Sequence, residues 1–175
     1  MSNDQPRIAV TMGDPAGVGP ELCVRLLAQA EFPRLCTPIV FGDYEVLQAA
    51  ARAIGVPLTA PAIPREAWPA EHLSLRGPAI LNLRAIDAAR LSPGVSDAAT
   101  GEASFVYVNA AIDAALAGEI AAVATGPLSK EALHAAGHPF PGHTEIFASR
   151  TNAAHSCMMQ YSEEITCSFV TTHVG

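Results

Sequence analysis

The sequence predicts an α/β fold, a mostly parallel sheet flanked by helices, followed by a pair of strands resembling a β-hairpin. Short apolar runs at Arg7–Met12, Ile39–Phe41, Ala79–Leu83 and Ile120–Thr125 have the length and composition of buried strands. Segments of helical period lie between them, and strand alternating with helix is the pattern of a parallel sheet. Glycine-rich or Gly-Pro turns follow the first and last of these runs, which marks sharp strand-to-helix connections.

Each element has its own signal. Apolar positions 18, 22, 26 and 23, 27, 30 recur at helical spacing, so a helix is expected from Val18 to about Glu31. A second helix is expected from Gly42-Asp43 through Leu47 to Ile54, ended by Gly55. The proline-rich stretch 56–78 reads as a surface excursion with one short strand. A long alanine-rich helix is expected over Ala98–Ala117, with Tyr107, Ala111 and Ala114 as its packing stripe and Gly118 at its end. Ser129 is placed to cap a short helix that Gly137 and Pro139 terminate, and another helix starts near His143. Ser156–Tyr161 and Ile165–Thr172 read as two strands around Ser162-Glu163-Glu164. Residues 1–140 form the expected α/β lobe, and 141–175 the start of an incomplete second lobe. The polar Thr171-Thr-His173 directly after an apolar strand gives the chain the look of a truncated one.

Composition narrows the function. The 175 residues carry a net charge of −7, with one lysine among ten basic residues and no basic cluster, which argues against nucleic acid as a partner. No apolar run is long enough to span a bilayer, and the N-terminus lacks the pattern of a signal peptide. A cytoplasmic protein without a membrane partner is expected. Cys23, Cys36, Cys157 and Cys167 lack Cys-x-x-Cys spacing and are expected to be buried, reduced thiols.

The motifs carry the chemistry. Thr11-Met-Gly-Asp-Pro-Ala-Gly-Val-Gly-Pro-Glu21 is a glycine-rich loop between strand and helix. It matches neither the dinucleotide fingerprint nor the nucleotide-phosphate loop. Two readings stand: a cradle for a ligand hydroxyl, ammonium or metal with Asp14 as a catalytic candidate, or a tight turn in which Asp14 only bonds the backbone. Lys130, the only lysine, opens a helix, where it either grips a phosphate together with the helix dipole or is a solvated surface residue. His134 and His138 have helical metal-pair spacing, but Gly137 and Pro139 break the helix there. His143 and Thr144, in Pro141-Gly-His-Thr-Glu145, stand where a helix start can aim both side chains at a ligand. His173 stands at a strand end with room for a metal, but a catalytic ion needs about three protein ligands.

Four ordered motifs, Thr11 to Glu21, Thr125-Gly-Pro-Leu-Ser-Lys130, Pro141 to Glu145 and Thr171-Thr-His173, resemble those of the PdxA family, the 4-hydroxythreonine-4-phosphate dehydrogenases and relatives acting on phosphorylated D-threonate or D-erythronate. The resemblance covers the whole chain but only the N-terminal half of a family member. It implies a two-lobed fold like that of isocitrate and isopropylmalate dehydrogenases, assembled as a homodimer when full length. It implies oxidation, with decarboxylation, of 4-phosphohydroxy-L-threonine in pyridoxal phosphate biosynthesis, using NAD or NADP and a divalent metal (Zn, Mg or Co). The partner is then a phosphorylated small-molecule hydroxy acid. By the same resemblance His143 and Thr144 bind substrate and His173 is the first of three metal-ligating histidines. Asp14 and Lys130 are catalytic candidates from the residues themselves. With the remaining ligands beyond Gly175, the chain alone is expected to be inactive. A non-catalytic domain that binds a phosphorylated ligand or pairs with another chain is the alternative of a different class.

Overall fold

The computed structural model describes residues 5–31 and 34–169. It divides into two compact units, Met1–Pro139 and Phe140–Gly175.

The first unit is a five-stranded, all-parallel sheet in the order β3-β4-β2-β1-β5. Its elements run β1 (Arg7–Thr11), α1 (Gly19–Leu27), β2 (Thr37–Gly42), α2 (Tyr44–Ile54), β3 (Ala62–Pro64), α3 (Trp68–Glu71), β4 (Ala79–Asn82), α4 (Ala98–Leu116), β5 (Ala122–Thr125) and α5 (Lys130–Ala135). Ala9 pairs with Ile39 on one side and with Val123 on the other, so β1 is the central strand of the site-bearing edge. The chain moves in one direction from β1 to β2 and in the opposite direction from β4 to β5. Parallel crossovers are right-handed, so α1 and α4 lie on opposite faces of the sheet. Accordingly α1 packs on α2, and α4 packs on α5.

At β2 and β4 both faces are apolar because both are covered, whereas β5, expected from its apolar run to be a buried strand, is largely exposed because it lies at the edge of the sheet. All six residues of β2 are buried, and Ala9, Ile39, Val40, Phe41, Leu47 and Ile80 have no measurable exposure. Burial of each large side chain contributes about 1.5–3 kcal/mol. The expected stripe on α4 is present, with Tyr107, Ala111 and Ala114 all buried. Asp97 caps this helix through Thr100 N–H, and Thr100 Oγ1 accepts in return from Asp97 N–H at 3.0 Å, a complete capping box. α1 stops at Leu27, short of Glu31, because Ala28, Gln29, Ala30 and Glu31 are exposed and have no core to face.

The proline-rich excursion is anchored by Trp68. Its indole Nε1 donates to Glu119 Oε2 at 2.6 Å, and its ring meets Phe41 edge-on at 5.6 Å between centroids. Within the excursion, β3 is the short strand expected from the sequence, paired parallel to β4.

The second unit contains α6 (His143–Arg150) and the antiparallel pair β6 (Met158–Tyr161) and β7 (Thr166–Phe169). Every residue of both strands is exposed. The expectation of four buried thiols is therefore corrected. Cys23 is buried, with its pKa pushed up to about 12 by desolvation, but Cys36 is half-buried and Cys157 and Cys167 are exposed. A two-stranded ribbon has no covered face on which to hide a thiol. Among the described residues, no helix is long and apolar enough to cross a membrane.

Gly101 decides how closely α4 and α5 approach, since a Cβ there would run into the Ala132 carbonyl group. Gly→Ala inside a helix ordinarily stabilises by about 1 kcal/mol. Here the sign should reverse: Gly101→Ala is expected to lower unfolding stability by about 2 kcal/mol in chemical denaturation. A stabilised variant would show that the helices can part without cost.

Candidate functional site at the rim of the parallel sheet

Neighbouring parallel strands whose following helices go to opposite faces leave a crevice beyond their C-terminal ends, and α/β proteins place ligands there. In the first unit that position lies between β1 and β5. The two loops that leave it are the sequence motifs Thr11–Glu21 and Thr125–Lys130.

These loops are joined through their backbones. Gly126 N–H donates to Thr11 O at 2.8 Å, and Asp14 N–H donates to Pro127 O at 2.9 Å. Such closeness dictates glycine. A Cβ on Gly13, whose φ is +75°, would strike the Pro127 carbonyl, and one on Gly126 would strike the carbonyls of Thr11 and Met12. Gly19 lets α1 begin directly against Met12 O.

Asp14 is 3% exposed. Its Oδ1 accepts from Ala16 N–H at 2.8 Å, and its Oδ2 accepts from Ser96 Oγ at 2.6 Å. Gly94 N–H also donates to Ala16 O at 2.7 Å, so the segment before α4 is sewn to the glycine-rich loop at two points. Asp14 thus holds the rim together through both of its oxygens. Lys130 is exposed at the start of α5, where Ser129 Oγ accepts from Ala132 N–H at 3.2 Å, the cap expected from the sequence.

A second buried carboxylate, Asp43, sits after β2. It stands at the N-terminus of α2 but does not cap it with its side chain, which accepts instead from Ala85 N–H at 2.9 Å and Ile86 N–H at 2.8 Å. Asn82 Oδ1 takes its place at the helix start, accepting from Tyr44 N–H. Burial raises the Asp43 pKa against the lowering effect of those backbone donors. Below both loops the Tyr107 hydroxyl is fully buried, and no partner meets hydrogen-bond geometry. Its pKa is raised by burial first, then by the nearby Asp43 and, more weakly, Asp14 carboxylates. Asp43 and Ser96 were not legible as rim residues, because each meets its partner across a long stretch of chain, and Tyr107 was legible only as part of the α4 packing stripe.

In the second unit His143 and Thr144 open α6, as the sequence suggests, and both are half-buried. His143 Nε2 is buried without a hydrogen-bond partner, and burial lowers the imidazole pKa. His138 is committed elsewhere, within the first unit: it stacks on Phe105 at 3.7 Å and pairs with Glu102 at 2.7 Å. His155 is exposed. His173 lies outside the described residues. Among those residues no group of three or more His, Cys, Asp or Glu could hold a metal ion.

Residues 34–175 match the family profile described as pyridoxal phosphate biosynthetic protein PdxA. The chain belongs to the PdxA family. It is 37% identical to 4-hydroxythreonine-4-phosphate dehydrogenase of Trichlorobacter lovleyi, the alignment covering 99% of this chain and 51% of the relative. It is 38% identical to D-threonate 4-phosphate dehydrogenase of Cupriavidus necator, over 100% of this chain and 52% of that one. The crystal structure of a 4-hydroxythreonine-4-phosphate dehydrogenase from Burkholderia phymatum superposes with a TM-score of 0.84 at 36% identity, over 98% of this chain and 51% of that one. This PdxA-family chain therefore spans about half the length of the curated relatives it matches.

Two measurements follow from the rim and from α6. Gly13→Ala combines a left-handed backbone with a blocked Cβ and is expected to cost at least about 2 kcal/mol of stability in denaturant titration. For His143, the folded value lies below the ordinary 6.5, so the unfolded chain takes up the proton first as pH falls. Stability should then decline through the window just below pH 6.5 and be fully present above it. Imidazole NMR titration should place His143 below the ordinary range, and His143→Gln should flatten the decline. A titration at or above the ordinary value would refute the burial argument.

Proposed function

We propose that this chain supplies the N-terminal half of a dehydrogenase that oxidises 4-phosphohydroxy-L-threonine, with decarboxylation, using NAD or NADP. The observation that carries the reading is the meeting of two PdxA-family motifs at the β1/β5 crevice, tied by the Asp14–Pro127 and Gly126–Thr11 bonds. The relatives named as dehydrogenases, 37% and 38% identical, support the reaction class.

The roles proposed for this chain's residues follow its geometry. His143 and Thr144 bind the substrate, His143 through a Nε2 that has no protein partner to lose. Depression of its pKa keeps the imidazole neutral near pH 7. Lys130, exposed beside the rim loop, attracts the substrate's phosphate. Asp14 contributes to catalysis by holding the glycine-rich loop and the segment before α4 in register. A bound nicotinamide cofactor supplies the hydride acceptor. The divalent metal is proposed from family membership, with His173 as one ligand; the described residues contain no metal cluster, so no step is assigned to the ion. The proposed setting is a cytoplasmic homodimer of the longer protein.

A second substrate has equal support. D-Threonate 4-phosphate dehydrogenase of C. necator is as similar to this chain as the 4-hydroxythreonine-4-phosphate enzyme, so the D-threonate series is the alternative.

The 175-residue chain alone is expected to show no NAD(P)-dependent turnover, and turnover by a mass-verified chain would overturn that expectation. A chimaera joining it to the remaining half of the T. lovleyi relative is expected to reduce NAD or NADP with 4-phosphohydroxy-L-threonine. His143→Ala in that chimaera should raise KM about 10–150-fold through loss of a hydrogen bond to a charged group. His173→Ala should lower metal content per subunit. A folded chimaera that oxidises neither phosphorylated substrate would defeat the proposal.

A further inference from the structure

The helix α5 is too short to hold its own direction. It has six residues, far fewer than the roughly 12–15 that an isolated helix needs for marginal stability in water, so what it packs on decides where it points. That support is α4. Gly101 admits the Ala132 carbonyl group against the α4 backbone, and the neighbouring Ala132 and Leu133 side chains are buried.

His138 closes the far end of α5. Gly137, at φ +88°, reverses the chain, and His138 N–H donates to Leu133 O at 3.0 Å, which fixes the root of the side chain. The imidazole then lies on the Phe105 ring, 3.7 Å away between centroids and 21° from parallel, and its Nε2 is 2.7 Å from Glu102 Oε2. Glu102 and Phe105 are three residues apart on α4 and so share one face. Because Glu102 is half-exposed, the pair adds little to stability, and its effect is to direct the ring.

The near end of α5 carries groups of the rim. The helix opens with Lys130, and the loop before it presents Pro127 O to Asp14 N–H. Six residues of helix span about 9 Å, a short strut between the His138 clamp and those groups. The Gly101–Ala132 contact lies between the two ends, so releasing one end lets the other turn about it.

We propose that His138 is a positioning residue for the phosphate of the substrate: held by Phe105 and Glu102, it fixes α5 so that Lys130 stays at the rim. This rests on the reading of Lys130 as the group that attracts the phosphate, and part of its test needs no turnover.

Lys130 is the only lysine in the chain, so lysine labelled with carbon-13 at Cε gives a single NMR signal. Glu102→Ala removes the clamp's partner without cost to the helix, since alanine is the best helix former. In the 175-residue chain, His138→Ala and Glu102→Ala should each move the Lys130 signal and speed amide hydrogen exchange over residues 130–136, with the thermal midpoint of Glu102→Ala unchanged. In the chimaera, each should raise KM for the phosphorylated substrate on the order of tenfold while kcat and KM for NAD stay within about twofold. The double variant should be no worse than His138→Ala, because both substitutions break one contact. A Lys130 signal and exchange rates that ignore both substitutions overturn the proposal, whatever the chimaera does. An active chimaera whose KM for substrate ignores both also overturns it and leaves the dehydrogenase reading standing. A responding Lys130 signal beside a chimaera that oxidises neither phosphorylated substrate keeps the clamp and defeats that reading instead.

Discussion

The rim of the first unit depends on one close approach, the contact between the loop leaving β1 and the loop leaving β5. Adjacent parallel strands β1 and β5 send their chains to opposite faces here, and the two loops then share the space directly above the strand ends. Here they share it at backbone distance, with Asp14 N–H on Pro127 O and Gly126 N–H on Thr11 O. Side chains at Gly13 or Gly126 would separate them. The glycines thus act less as flexible joints than as missing volume.

Electrostatics builds on that contact. Two carboxylates, Asp14 and Asp43, are each 3% exposed and are met by neutral donors. A buried charge is tolerable when several hydrogen bonds converge on it, and each carboxylate gathers donors from segments distant in sequence. Asp14 joins the loop after β1 to the segment before α4, and Asp43 joins the end of β2 to the turn after β4. The cost of burying these groups is thereby converted into fixed loop geometry. Tyr107, buried on α4, feels the charge of both carboxylates, which adds to burial in raising its pKa.

The two units differ in how they are held. The first has a buried core around β2 and β4, a complete capping box on α4 and the Trp68–Glu119 tie, although large apolar side chains such as Leu35, Leu73 and Leu116 stay exposed at its surface. The second presents Met159, Tyr161 and Ile165 to solvent at 60%, 74% and 64%, respectively. With no covered face, the hairpin gains little from burial and relies on its ladder and the Ser162–Ile165 turn.

The sequence by itself determined the order of elements, the parallel sheet, the Ser129 cap, the α4 packing stripe and the start of α6 at His143. All of these are local: period, capping residues and glycine position act within one or two turns of chain. Family membership was legible for a related reason, because close backbone approach leaves glycines in fixed order in the chain. The sequence misjudged the end of α1 and the exposure of Cys157 and Cys167, where an apolar neighbourhood in sequence did not become a covered face in space. Only tertiary structure decided that Asp14 spends both oxygens on Ala16 and Ser96, and that Asp43 supports the turn at Ala85 and Ile86 rather than its own helix. It also set His138, in the turn after α5, against Glu102 and Phe105 of α4. These pairings join residues up to 82 positions apart, and no local preference records which distant donor a buried carboxylate will find.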